Sequence, residues 1–153
     1  MKNTFFRRAV LAASLLLSLQ ACQKEIDELK QGVFVIANHS GLDVTLIVYN
    51  TSKRGQPPLR LAVGTGQQVE RAETGDFGGF AYPELYFRGD SVVLAFADGK
   101  RVLHYCPQAQ QLRNQCAPAR NVLAISQYQE EPLGKNVSRY TFRLTPADYA
   151  LAR

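Results

Sequence analysis

Gly89-Asp90 and Asp98-Gly99 bracket a run of seven residues, 91–97, that is apolar at every position but Ser91. Glycine-first and glycine-last pairs of this kind suit the II′ and I′ turns that join antiparallel strands. The two pairs therefore predict a meander of strands at 84–88, 91–97 and 101–106. With Asp98-Gly99 as the two turn residues, Leu94 faces Leu103, Val92 faces Tyr105 and Val93 faces His104. Val93, Ala95 and Val102 then share the second face with His104. The ribbon reads as apolar on both sides and central in its sheet.

The rest of the chain continues the pattern. Residues 33–38 are rich in β-branched and aromatic side chains, and Asn38-His39-Ser40-Gly41 is turn chemistry. A strand at 43–50 sets Val44, Leu46 and Val48 on one face. Strands follow at 59–63, at 67–72, at 121–129 and at 139–144, the last with Tyr140, Phe142 and Leu144 inward. Thr145 then reads as an N-cap and Pro146 as the first residue of a short C-terminal helix, with Tyr149 on the sheet. About nine short strands with frequent turns predict an all-β domain, an antiparallel β-sandwich or a small barrel. Strands do not alternate with helices, which excludes a parallel α/β sheet.

The N-terminal stretch sets the address. Lys2, Arg7 and Arg8 precede an apolar run at 9–19 that is too short to span a bilayer, the pattern of a secretory signal helix. The run ends in Leu19-Gln20-Ala21-Cys22, which resembles a bacterial lipobox. The resemblance implies lipidation of Cys22, cleavage before it, and a mature chain anchored in a membrane by its acyl chains. Gln23, where Asp would retain many lipoproteins in the inner membrane, favours the outer membrane. Gln23-Lys24-Glu25-Ile26-Asp27-Glu28 is similar to a surface-export signal of Bacteroidota lipoproteins, so either the periplasmic or the cell-surface face is open. The expected organisation is a signal peptide at 1–21, a tether at 22–31 and the β-sandwich at 32–153.

Removing the signal leaves 132 of the 153 residues, enough for one domain with its own core. It also removes three of the eighteen basic residues and none of the thirteen acids, so the net charge falls from +5 to +2. No basic run remains, and nucleic acid is not an expected partner. Of three cysteines, lipidation of Cys22 leaves Cys106 and Cys116. In an oxidising envelope these form a disulfide or stay as two free thiols. A metal pair lacks further ligands, since His39 and His104 are the only histidines and no Cys-x-x-Cys occurs. No metal or cofactor is expected.

Several segments in order, Asn38-His39-Ser40-Gly41, the stretch 89–100, Arg120-Asn121-Val122-Leu123 and the stretch 140–149, together resemble a group of uncharacterised Bacteroidota lipoproteins. The resemblance implies an envelope location and a small β domain, and no reaction.

Candidate sites are few. His104 lies mid-strand, as a packed histidine does, and His39 lies in a turn. Asp43 is near His39 in sequence, but no nucleophile motif accompanies them. A hydrolase or hydrolase accessory using His39 or His104, or a structural envelope component, is the alternative to a non-catalytic domain that binds a protein or glycan. Phe77, Phe80 and Tyr82, on the glycine-bearing loop at 73–83, are the expected binding residues. Arg88-Gly89-Asp90 spells an adhesion tripeptide, and Asp90-Ser91-Val92 fits an O-glycosylation pattern of Bacteroidota. Both stand in a predicted strand turn.

Overall fold

The computed structural model describes residues 30–51, 55–75, 83–106 and 116–153, without the side chains of Glu84 and Leu85. The signal segment, Cys22, the tether up to residue 29, and Phe77, Phe80 and Tyr82 lie outside the described residues. Eight strands form two four-stranded sheets, so the all-β sandwich is observed. The strands are β1 (Gln31–Asn38), β2 (Val44–Tyr49), β3 (Leu59–Val63), β4 (Gln68–Thr74), β5 (Ser91–Phe96), β6 (Arg101–Tyr105), β7 (Gln129–Gly134) and β8 (Val137–Leu144). One sheet runs β4-β1-β8-β7 and the other β3-β2-β5-β6. The pairing is antiparallel except between β1 and β8, which run parallel from Gln31↔Val137 to Asn38↔Leu144.

The core lies between the sheets. Phe34, Ile36, Phe142 and Leu144 from one sheet meet Val44, Leu46, Val48, Val92, Leu94 and Phe96 from the other. The predicted alternation in β2 and β8 supplies these contacts. Each fully buried aliphatic or phenyl side chain contributes about 1.5–3 kcal/mol relative to exposure. Asn38 ties the sheets together at one end. Its Nδ2 donates to the carbonyls of Leu42 and Val63, both at 2.8 Å, and its Oδ1 accepts from the N–H and hydroxyl of Ser40.

Three expectations are corrected. First, residues 84–88 are not a strand: Pro83–Phe87 is a single helical turn, α1, and no II′ hairpin forms at Gly89-Asp90. Pro83 suits the first helical position, and the turn plugs Tyr86 and Phe87 into the core, both at most 3% exposed. Second, the β5–β6 register is one residue away from the two-residue turn. Val92 faces His104, Val93 faces Leu103 and Leu94 faces Val102. The connection is a three-residue loop, 97–99, with Gly99 at φ +94° and Phe96 N–H bonded to the Lys100 carbonyl. Asp98 Oδ1 accepts from Lys100 N–H and fixes that loop, a type I turn closed by a left-handed residue. The shift puts His104 on the core face and leaves Leu103 and Tyr105 exposed, and β6 is an edge strand rather than central in its sheet.

Third, 121–129 is a turn followed by a 3-10 helix, Ile125–Gln127, and the strand there is the later β7. Val122 and Leu123 are consecutive and both fully buried, which a strand with one buried face cannot provide. Asn121 holds the bend: its Oδ1 accepts from Leu123 N–H at 2.9 Å while its Nδ2 donates to the carbonyls of Tyr105 and Ala117.

The C-terminal helix α2, Pro146–Ala150, is as expected, with Thr145 as its cap. Tyr149 stands edge-on to Phe96 at 5.2 Å and its hydroxyl donates to Asp98. Cys106 and Cys116 are bonded, with Cα atoms 4.7 Å apart. The bridge closes a loop of ten positions, worth about 2–3 kcal/mol in the chain-entropy account. Reduction is therefore expected to lower the melting temperature by roughly 10 °C and leave the far-ultraviolet β signal intact at room temperature. An unchanged melting temperature after complete reduction would refute the contribution.

Candidate functional site

A cleft of about 510 Å³ opens at one end of the sandwich. Its walls come from the end of β2, residues 50–51 and 55–58, the start of β3, Arg71 of β4, and the exit of α1. Val48, Phe87 and Leu59 form its apolar floor and side, Pro57-Pro58 one rim, and Arg88 another. Tyr49 and Leu59 are 42% and 41% exposed, so the cleft offers apolar surface to a ligand rather than hiding it.

The Arg88–Asp90 turn is bolted to the end of β2. Asn50 Nδ2 donates to the Arg88 carbonyl at 3.0 Å, and Asp90 N–H donates to the Tyr49 carbonyl at 3.1 Å. Thr51 gives both its N–H and its hydroxyl to the Asp90 carboxylate, and the Ser91 hydroxyl gives a further bond. Burial pushes the Asp90 carboxyl up, but these bonds outweigh it and hold the group below the usual carboxylate range. A Cβ on Gly89 would stand 2.3 Å from the Tyr49 carbonyl oxygen, so only glycine lets the two segments touch. Arg88 itself sits at φ +53°, the one non-glycine residue with positive φ among those described.

This geometry answers two readings of the motif. In Arg88-Gly89-Asp90 both carboxylate oxygens are bonded within the protein, to Thr51 and Ser91, so the acid is not free for a receptor. Ser91 is 8% exposed and bonded to Asp90, which leaves its hydroxyl no room for a glycan.

The electrostatics of the cleft are one-sided. Arg71 and Arg88 are its charged lining residues, and no carboxylate lines it among the described residues. Arg71 makes a close ion pair with Glu73, Nε to Oε1 at 2.5 Å, without aiming its N–H at that oxygen. Burial raises the Tyr86 hydroxyl to about 12, partly offset by the Arg71 charge, so Tyr86 stays a neutral phenol behind the cleft. The Arg88 guanidinium is exposed and makes no hydrogen bond or ion pair among the described residues.

The histidines stand elsewhere. His39 is exposed on the β1–β2 turn. Asp43 does not pair with it; Asp43 Oδ1 accepts from Thr65 N–H at 2.7 Å. His104 is fully buried on β6. Its Nδ1 accepts from Val122 N–H at 3.0 Å, so the neutral ring carries its proton on Nε2, which is buried without a partner. Burial drives the His104 pKa down to about 4; the negative charge of Asp148 opposes this and Arg120 reinforces it. With its lone pair occupied and no solvent access, the ring has no free base to offer a substrate. Among the described residues no three of His, Cys, Asp and Glu gather as a metal site.

The cleft was missed from sequence because its residues are dispersed and obey no period. Pro57-Pro58 and the glycine beside Arg88 were the visible signals, and each had a simpler reading as punctuation. The chain matches no protein-family model and no curated protein.

Proposed function

We propose that this protein is a lipid-anchored envelope lipoprotein, held at the outer membrane through Cys22, whose β-sandwich binds a protein or glycan partner without catalysis. The observation that carries the binding reading is the cleft: a rigid rim, exposed apolar walls and polar groups in one concavity of ligand size. The reading as non-catalytic is supported by His104, whose buried ring serves the fold, and by His39, which stands without an acid partner. The anchor rests on the lipobox at 19–22.

The test has two arms. Cys22→Ser is expected to abolish labelling by a radioactive fatty acid and to leave an unprocessed precursor; equal labelling of wild type and variant would remove the anchor. In the second arm, partners are recovered from detergent-solubilised envelope by the tagged protein. Tyr49→Ala combined with Leu59→Ala is expected to reduce recovery strongly, since a tyrosine that a partner buries as a hot spot costs about 2 kcal/mol or more on truncation. Phe77→Ala with Phe80→Ala reports whether the glycine-bearing loop contributes. His39→Ala with His104→Asn is expected to leave recovery unchanged. Loss with the histidine pair and not with the cleft pair would instead support the hydrolase alternative.

A further inference from the structure

We propose that the cleft recognises an acidic glycan, its carboxylate taken by Arg88 and Arg71 and its sugar face laid on Tyr49 and Pro57-Pro58. The inference rests on the binding reading above and adds the ligand class.

Charge is the first argument. Two guanidiniums line the cleft without a lining carboxylate among the described residues; the Asp90 carboxylate, still charged, is turned to its neutral donors Thr51 and Ser91. Glu73 pairs with Arg71, whereas the Arg88 guanidinium has no ion pair among the described residues and is the one open to a ligand. A planar guanidinium matches a carboxylate with two parallel bonds, which favours a carboxylate ligand over a diffuse anion.

Backbone strain is the second. A non-glycine residue at φ +53° costs free energy that glycine would not. The side chain kept there forms no internal bond among the described residues, so the strain is not offset by an intramolecular contact of the guanidinium. The backbone bonds that hold the turn would hold a glycine there equally, so the Arg88 side chain is the part that a ligand would explain.

Shape is the third. Beside the edge strand β3 the cleft is rimmed by Pro57-Pro58, whose nitrogens carry no N–H, so that rim offers an extended peptide few backbone donors. An exposed tyrosine ring and two proline rings offer flat apolar faces of the kind on which a sugar ring rests.

Full-length protein in detergent is titrated calorimetrically with tetragalacturonate, with its methyl ester, and with tetraglutamate. Saturable binding of tetragalacturonate is expected, weakened by added salt, with the uncharged ester and the peptide at least tenfold weaker. Arg88→Gly, which fits φ +53° without strain, is expected to weaken binding about tenfold or more while leaving the melting temperature equal or higher. Arg71→Gln is expected to weaken it less, because Glu73 already shares that charge. Absence of binding, equal binding of the ester, or an unaffected Arg88→Gly overturns the proposal. Preference for tetraglutamate also overturns it and assigns the cleft to acidic peptides. If tetragalacturonate fails while Tyr49→Ala with Leu59→Ala still abolishes partner recovery, the ligand class falls and the binding reading stands.

Discussion

Asp148→Ala is expected to destabilise the domain by about 3–5 kcal/mol, the range for breaking one side of a buried ion pair. The Asp148 carboxylate is fully buried and every bond it accepts has a consequence. Its Oδ1 takes Arg120 Nε–H at 2.7 Å, and its Oδ2 takes Thr145 N–H at 2.7 Å and the Thr145 hydroxyl at 3.0 Å. Removing it strips the cap from α2 and frees Arg120, which also reaches the Arg143 carbonyl and lies over the Phe142 ring at 4.7 Å. Arg120 is 32% exposed, so water can recover part of its charge, which places the alanine variant toward the lower end of that range. Asp148→Asn is expected to be nearly as costly despite its shape. Whichever way the amide is turned, its NH₂ faces a donor, either Arg120 Nε–H or the Thr145 pair. Urea unfolding with an unchanged slope measures both variants. A loss under 1 kcal/mol in Asp148→Ala would show that the pair is solvated in solution and not a bolt.

The same pair shows what some of the segments singled out in the sequence do in the fold. Arg120 and Asp148 come from two of them, 28 positions apart, and meet in one cluster beside His104. Asn38 and Ser40, from a third, lock β1 to β3, and Gly89-Asp90, from a fourth, clamps the β5 entrance to β2. These segments mark fold fixtures, and their polar residues at turns and caps were the visible signs. β2 and β8, whose Val44, Leu46, Val48, Phe142 and Leu144 alternate into the core, were legible for the same reason that they are stable. The unread elements lacked that signal. All six residues of β7 are exposed, so no alternation exists to detect. A single turn at Pro83–Phe87 is too short to display a helical period, and its Tyr86-Phe87 pair resembles strand composition. The β5–β6 register depended on whether two or three residues make the turn, a choice that dipeptide chemistry does not settle. The cleft depended on the α1 turn among these, since it joins β2, β4 and the α1 exit.

Stability is expected to fall by about 3 kcal/mol as the pH is lowered from 6.5 to 4, through His104 alone. The unfolded chain binds a proton at this residue near pH 6.5; the folded chain does so only near pH 4, because burial disfavours the imidazolium. Between those values the unfolded state holds more protons than the folded state, so acid favours unfolding. Above pH 6.5 both states carry a neutral ring and the effect vanishes; below about 4 it is complete. Asp148 and Arg120 set its size in opposite directions, so Asp148→Ala should deepen the loss. The Asp90 and Asp98 carboxyls, held below 3.8 by their hydrogen bonds, lose their own contributions at lower pH and do not confuse this window. His104→Asn supplies the control. Its side-chain oxygen can still accept from Val122 N–H, and it does not titrate. Urea midpoints taken from pH 7 to pH 4 should slope steeply in the wild type and much less in the variant. Parallel slopes would mean that His104 protonates in the folded state near its ordinary value, which requires water at Nε2 and a ring open to chemistry after all.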